Sequence, residues 1–419
     1  MAQTDLSTNL ISEGGAASAA LNSPPQIVQQ AWRRAARYAV AVLVTLLIAF
    51  GVYALHGTQG YGAPASFSLL VGAALGVIFE RGRFCFFCIL RDYIQYRNSG
   101  GMFAIVTALA VGGIGYAIVF GSFLPNPFSG RLPPDAHIGP VSWVLVAAGF
   151  AFGIGMALSG ACISGHLYRL GEGYTRAPLA LFGALIGFGI GFFTWYDLYL
   201  NTLNSAPVAW LPATLGYGGS LALHLLVLGG IALILLRRLP ELKALQGGKV
   251  TLQRIYQAIF VDRWNPLITG ALVGLVGIFA YFRVEPLGVT AQLGSLSRTW
   301  LSDLGYLAER LPGLDTFAGC ATIVSNTIGN NGFLIGGLVL GSLAIALFTN
   351  RFQLSQLTLR GAATALLGGV LMGWGSMVAL GCTVGTLLSG ISAFAVAGWV
   401  FFAAVFAGVW VGIKAKWVL

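Results

Sequence analysis

Long apolar stretches, separated by short polar or basic ones, make up most of this chain of 419 residues. The stretches at 39–50, 225–236 and 393–411 are apolar on every side, whereas the strands of a β-barrel would alternate between apolar and polar residues. About 20 apolar residues in a helix cross the hydrocarbon core of a bilayer. The pattern therefore predicts an all-α, polytopic membrane protein with about 9–11 transmembrane helices.

Composition supports the same class. Hydrophobic residues make up 57% of the chain and charged residues only 9%, which leaves more apolar surface than a soluble fold can bury. The formal net charge of +10 does not indicate a nucleic-acid partner, because membrane proteins collect Lys and Arg on their cytoplasmic side. The lipid bilayer is the partner that this composition predicts.

The positions of the basic residues predict the topology. Residues 1–35 have no apolar core, so we expect a disordered cytoplasmic segment there rather than a signal peptide. A basic stretch at 237–265 is expected to be a cytoplasmic linker between a first membrane half, 36–236, and a second, 266–419. The N- and C-termini of this multi-pass protein are then both cytoplasmic.

Two further stretches, 84–98 and 282–330, should each begin and end on one side of the membrane by this topology. Their apolar lengths are too short or too interrupted for simple spans. We interpret them as re-entrant or half-membrane helices, whose backbone must be covered by protein or by a polar cavity.

A motif of glycines around a cysteine occurs twice in the chain. The topology places Cys162 on a segment that runs inward and Cys382 on one that runs outward, so the repeat is predicted to be inverted, with a substrate site between the halves. Gly160 and Gly165 weaken the helix beside Cys162, which predicts a break there. The two copies, at an offset of 220 positions (382 − 162 = 220), are Gly153, Gly155, Cys162 and Gly165, and Gly373, Gly375, Cys382 and Gly385.

The five cysteines, an odd number in unlike surroundings, do not predict a disulfide framework. Buried cysteines are often small apolar fillers, but a duplicated cysteine between helix-breaking glycines favours a thiol that contacts substrate. Cys85 and Cys88 have the spacing of a redox or metal motif. Since no second pair of this kind exists and the bulky Phe86 and Phe87 lie between them, no metal, cofactor or catalytic residue is predicted.

Three motifs carry a resemblance to a known family. They are the segments 80–92 (ERGRFCFFCILRD), 159–173 (SGACISGHLYRLGEG) and 381–390 (GCTVGTLLSG). These segments resemble the YeeE/YedE family of bacterial inner-membrane proteins, whose best-understood members take up thiosulfate. The resemblance places the chain in the bacterial inner (plasma) membrane and implies uptake of thiosulfate or a related inorganic sulfur-containing anion.

The resemblance also implies an architecture and a site. The fold would be an hourglass-like, pseudo-symmetric helical protein with a central constriction, where cysteine thiols pass the anion from one to the next. Cys162 and Cys382 match two central cysteines of the family, and we favour Cys85 over Cys88 as the third.

Other polar residues accompany these thiols. His166, four residues after Cys162 and on the same helical face, is either a thiol partner or a polar residue near the cytoplasmic opening. Arg83 and Arg91 either guide an anion to that opening or contact lipid headgroups, and the same holds for the arginines at 169 and 176. Cys320 matches no motif of the family, so the sequence assigns it no role.

Two functions of different class stay open. In the first, neutral thiols conduct a sulfur anion, because the S–H group is a weak donor that suits a soft sulfur atom in a water-poor site. In the second, the chain is a membrane thiol enzyme or a sulfur or selenium relay, in which a cysteine accepts persulfide from a cytoplasmic sulfurtransferase-type protein. An enzyme needs an activated thiolate beside a base or cation. We favour the transporter. The chain has no nucleotide-binding motif, so the sequence does not predict ATP-driven pumping by this chain alone.

Overall fold

The computed structural model describes residues 26–238, 257–314 and 323–417. These residues form helices and connecting loops, without a β-strand. Ten helical stretches among them are long and apolar enough to cross a membrane. This confirms the predicted all-α, multi-pass class, and the number falls within the predicted range of spans.

The first half alternates long helices with short ones. Its helices are α1 (Gln26–Gly57), α2 (Gly62–Gly82), α3 (Phe86–Tyr96), α4 (Gly100–Phe123), α5 (Trp143–Ser159), α6 (Ile163–Gly171), α7 (Ala177–Asn201) and α8 (Pro212–Leu236). The short helices α3 and α6 each follow a long helix after only a few residues. We therefore describe α2 with α3, and α5 with α6, as two broken spans.

The second half repeats this plan. Its helices are α9 (Pro266–Arg283), α10 (Ala291–Asp303), α11 (Asn330–Phe348), α12 (Leu359–Val378), α13 (Thr383–Ser392) and α14 (Val396–Lys414). The short helices α10 and α13 follow the long helices α9 and α12, and α13 begins as a π-helix. The two stretches predicted as half-membrane segments thus contain the short helices α3 and α10.

The start of the first helix differs from the sequence prediction. Helix α1 begins at Gln26, inside the segment 1–35 for which the sequence predicts disorder. The residues before the first span include several Ala, Gln and Arg, which are good helix formers and extend the span toward the N-terminus. Residues 1–25, most of the linker 237–265, and Cys320 lie outside the described residues.

The helices of the two halves pair in matching ways. Helix α2 packs against α11, and its counterpart α9 packs against α4, the counterpart of α11. In the same manner α5 packs against α14, and α12 packs against α7. The remaining main contact joins α5 to its own counterpart α12. Exchanging the two halves therefore leaves the pairing unchanged, as a pseudo-symmetric repeat requires.

The repeated glycines make matching helix contacts. Gly153 faces a backbone oxygen of α14 and Gly373 one of α7. A Cβ atom at Gly155 would lie 2.6 Å from an oxygen of α12, and one at Gly375 would lie 2.6 Å from an oxygen of α5. Small residues allow such close approach of membrane helices. The glycines of the motif therefore hold helices together, besides framing the cysteines.

The register between α5 and α12 shows their relative direction. Gly155 lies opposite Gly368, and Ala148, earlier on α5, lies opposite Gly375, later on α12. The two helices are therefore antiparallel, which is consistent with an inverted repeat, whose orientation in the membrane stays a prediction. Because Cys162 and Cys382 follow the far ends of α5 and α12, they lie on opposite sides of this crossing.

Candidate functional site

Cys85, Cys162 and Cys382 occupy the same local position in three helical breaks. They are the N-cap residues of α3, α6 and α13. The N–H groups in the first turn of a helix have no partner within the helix and carry partial positive charge. All three cysteines have an exposed fraction of 0%. The fold thus holds three buried thiols where helix ends favour an anion.

The break before Cys162 confirms the sequence prediction. Helix α5 ends at Ser159, and Gly160 adopts the left-handed conformation with φ of 86°. This conformation suits glycine, because it has no Cβ atom. The chain then turns so that Cys162 begins α6, and the thiol accepts a hydrogen bond from the N–H of Gly165 at 3.3 Å.

Cys85 and Cys162 form a buried thiol pair. Their Sγ atoms lie 3.8 Å apart, and the Ser164 hydroxyl lies 3.3 Å from Cys162 Sγ. A Cβ atom at Gly165 would come within 2.7 Å of Cys85 Sγ, so only glycine leaves room for this pair. Cys85, rather than Cys88, is therefore the thiol that the fold brings to Cys162.

Cys88 lies beside the pair and contacts a cation. Arg169 Nη2 donates a hydrogen bond to Cys88 Sγ at 2.9 Å. The other terminal nitrogen of Arg169 donates to the Gly160 carbonyl at 3.2 Å, and the guanidinium lies near the rings of Tyr168 and Tyr174. Arg169 is thus fixed between the helical break and Cys88.

A basic cavity of about 480 Å³ reaches this group from one side. Its lining includes Arg83 and Arg91, as well as Cys88, Tyr168, Arg169 and Arg263. Arg91 forms an ion pair with Asp92 at 2.8 Å, but both side chains are partly exposed, so the pair contributes little stability. The predicted arginines therefore line a cavity that ends at a thiol.

His166 is buried instead of lying at the opening. Its exposed fraction is 0%, and neither ring nitrogen has a hydrogen-bond partner within the described part of the chain. It does not line the basic cavity. Since an unpaired buried polar atom carries a desolvation cost, this imidazole is a candidate for contact with a bound group.

Buried charges surround the same end of the bundle. The Glu80 carboxylate is fully buried and lies 3.5 Å from Arg351 and 3.9 Å from Arg81. Glu172, just after the end of α6, is near Glu80. Burial, together with the neighbouring Glu80, raises the pKa of the Glu172 carboxyl to about 7. The Glu80 carboxylate and the two guanidinium groups thus form a charged cluster at the end of α2.

Cys382 belongs to a separate group of contacts. Its Sγ atom accepts a hydrogen bond from the N–H of Val384 at 3.4 Å. The Thr290 side chain and the Val289 backbone also hydrogen-bond to the Cys382 thiol. These hydrogen-bond partners of Cys382 belong to α13 and to the residues just before α10, not to the Cys85–Cys162 pair.

Of these contact residues, the sequence analysis named Arg169 only as an anion guide or a lipid contact, and it did not name Thr290. Arg169 follows Cys162 by seven positions, a spacing that keeps both on one face of a helix and marks it in hindsight. Thr290 has no such signal, because nothing in its neighbourhood repeats a cysteine motif. In residues 26–238, 257–314 and 323–417, no group of three His, Cys, Asp or Glu side chains is placed to hold a metal ion.

This arrangement defines a multi-pass membrane protein of the transporter class, in which broken helices carry buried polar groups to the interior. The chain belongs to the sulphur-transport family: the profile described as "Sulphur transport" matches residues 81–411. The match covers most of the chain and confirms the family resemblance inferred from the three motifs.

The chain is also similar to individual proteins that are named as transporters. The chain is 30% identical over 370 residues to the thiosulfate transporter TsuA of Escherichia coli (strain K12), covering 84% of this chain and 93% of the relative. It is 27% identical over 351 residues to the thiosulfate transporter TsuA of Spirochaeta thermophila, with 79% and 92% covered. The probable transporter YedE of Salmonella typhimurium is 30% identical over 169 residues, 40% of each chain. All three are named as transporters, in agreement with the prediction of a transporter rather than an enzyme.

Proposed function

We propose that this protein takes up thiosulfate, or a related inorganic sulfur anion, through a path that contains Cys85, Cys162 and Cys382. Two relatives that align over most of their length are named thiosulfate transporters. The observation in this chain that carries the proposal is the buried pair of thiols, 3.8 Å apart, at the N-termini of α3 and α6.

The chemistry of the pair suits this anion. A divalent anion is costly to desolvate, so it needs hydrogen-bond donors throughout a narrow, dry site. Neutral thiols and the free N–H groups of helix N-termini supply donors without the full positive charge that would hold the anion too tightly. The soft sulfur of a thiol also matches the terminal sulfur of thiosulfate.

The basic cavity is the proposed inner end of the path. Arg83 and Arg91 attract the anion electrostatically, while Arg169 and Cys88 stand between the cavity and the thiol pair. His166, buried and without a partner among the described residues, is an additional donor near the path. Along the path, the donors thus change from charged arginines at its inner end to neutral groups in the interior of the protein.

The cellular setting follows from the basic segments. We place the protein in the bacterial inner membrane with both termini and the linker 237–265 in the cytoplasm, and with 36–236 and 266–419 as the two repeat halves. The basic cavity then opens to the cytoplasm, where a sulfurtransferase-type protein is a candidate acceptor. Reporter fusions at either terminus test this orientation, and an exported terminus would contradict it.

Uptake measurements test the function. Cells without other sulfur importers should grow on thiosulfate when they produce this protein, and Cys162→Ala or Cys382→Ala should each abolish that growth. Both changes remove a donor but little volume, so protein levels should stay near normal. Cys320→Ala is the control, because it removes a thiol to which the sequence assigns no role. A normal growth rate with Cys162→Ala would contradict the proposed path.

The alternative function, a persulfide relay, has one structural observation in its favour. Arg169 places a cation 2.9 Å from Cys88 Sγ, and a nearby cation favours the thiolate that a relay requires. In a relay, sulfur would be bonded covalently to a cysteine during turnover. Mass measurement of the purified protein distinguishes this from non-covalent passage.

A further inference from the structure

The two halves place different residues at one equivalent position. Cys85 is the N-cap of α3, which follows α2, and Thr290 is the N-cap of α10, which follows α9. Since α2 with α3 and α9 with α10 are counterparts in the repeat, Thr290 stands where the first half has Cys85. Both residues have an exposed fraction of 0%.

The contacts of these residues also match. In the first half, Cys85 contacts Cys162, the N-cap of α6. In the second half, Thr290 hydrogen-bonds to Cys382, the N-cap of α13. Each half therefore joins two helix N-termini through a pair of N-cap side chains. The first pair consists of two thiols, and the second of a hydroxyl and a thiol.

A polar cavity of about 160 Å³ lies against the first turn of α10. It differs from the basic cavity because its donors are neutral. Its lining includes Gln292, Ser295, Ser325, Thr327, Asn330 and Asn331, together with Glu285. Neutral amides and hydroxyls of this kind bind an oxyanion weakly and release it readily.

A buried hydroxyl beside Cys382 adds a further donor. Thr383 has an exposed fraction of 0%, and its Oγ1 atom has no hydrogen-bond partner in the described part of the chain. A polar atom that is buried without a partner is costly unless a ligand or water satisfies it. The surroundings of Cys382 therefore contain donor capacity that the fold itself leaves unused.

We propose that Thr290 and Cys382 form a second anion-binding station, in series with the Cys85–Cys162 pair. The inference rests on the proposed function and extends it to a residue that is not a cysteine. The two stations lie on opposite sides of the crossing of α5 and α12, so an anion crossing the protein passes both. The Thr290 hydroxyl donates to an oxygen of the anion, while the Cys382 thiol faces its sulfur.

A hydroxyl and a thiol that contact different atoms of the anion fit one class of substrate. An inorganic anion with oxygens at one end and a terminal sulfur at the other contacts the hydroxyl and the thiol at the same time. An anion with four equal oxygens, such as sulfate, leaves the soft thiol without a matching partner. The station therefore favours a thiosulfate-type anion over sulfate.

Substitutions at position 290 test the role of the hydroxyl. Thr290→Val keeps the shape of the side chain but removes the donor, and we expect uptake of radiolabelled thiosulfate to fall about tenfold or more. Thr290→Ser keeps the donor and should retain most of the uptake. The control is Thr45→Val on α1, which also removes a threonine hydroxyl, because that hydroxyl donates within its own helix to the Ala41 carbonyl at 2.9 Å.

The outcomes separate this inference from the proposed function. Protein amount and the elution of the purified protein as a single species, measured for every variant, exclude misfolding as the cause of a loss. If folded Thr290→Val takes up thiosulfate as the unmodified protein does, or if Thr290→Ser is as inactive as Thr290→Val, the station is wrong while the proposed function stands. If the unmodified protein takes up no thiosulfate, both are wrong.

Discussion

The Sγ atoms of Cys85 and Cys162 lie 3.8 Å apart, although 77 residues separate them in the chain. Each thiol begins a short helix after a break in a longer one, so two helix N-termini converge on one buried point. Partial positive charge from both helices and two weak S–H donors are concentrated there.

Enlarging Gly165 should block the thiol pair. A Cβ atom there would lie 2.7 Å from Cys85 Sγ, so Gly165→Ala must displace the thiol. We expect thiosulfate uptake to fall about tenfold or more, with a loss of stability of about 1–3 kcal/mol. Gly336→Ala on α11 is the matched control, because no atom lies within 4 Å of its added Cβ. Equal uptake by the two variants would show that the pair is not on the path.

Replacing a thiol by a hydroxyl distinguishes passage from covalent relay. Cys162→Ser should retain measurable uptake, at a lower level than the unmodified protein, because a hydroxyl still donates a hydrogen bond. Cys162→Ala should retain none. A relay requires sulfur as the nucleophile, so in that case serine and alanine would be equally inactive. A mass increase of one sulfur atom on Cys162 or Cys88 after incubation with thiosulfate would favour the relay.

Arg169 should control passage between the basic cavity and the thiol pair. Arg169→Gln removes the donor to Cys88 and the charge next to it, and we expect the apparent KM for thiosulfate to rise about tenfold or more. Arg169→Lys should be partly active, since the charge remains while the planar donor geometry is lost. The exposed Arg360 provides a control, Arg360→Gln. An unchanged KM in Arg169→Gln would remove this residue from the path.

Uptake should depend on pH through Glu285. Burial raises the pKa of this carboxyl to about 7, and the nearby Asp135 acts in the same direction. Glu285 is therefore mostly neutral below pH 7 and becomes an anion above it, where it repels an anion in the polar cavity. We expect uptake to fall as the pH rises through about 7, and Glu285→Gln to flatten this part of the profile. Glu309→Gln, at an exposed carboxyl, should leave the profile unchanged.

The sequence by itself determined the membrane class, the broken helix and the repeat. Apolar runs of spanning length and the glycines beside Cys162 are local features, and local features fix helix length and helix breaks directly. The recurrence of Gly155 and Cys162 at a constant offset is likewise visible without coordinates. The sequence also favoured Cys85 as the third thiol, and the fold brings that residue to Cys162.

Only the tertiary structure decided which polar groups meet. The contacts of Cys85 with Cys162, of Arg169 with Cys88 and of Thr290 with Cys382 each join separate broken spans. Such contacts depend on how helices cross, and crossing is set by small residues on several helices at once. Thr290 shows the limit most clearly, because its position as the counterpart of Cys85 follows from matching helices and not from matching residues.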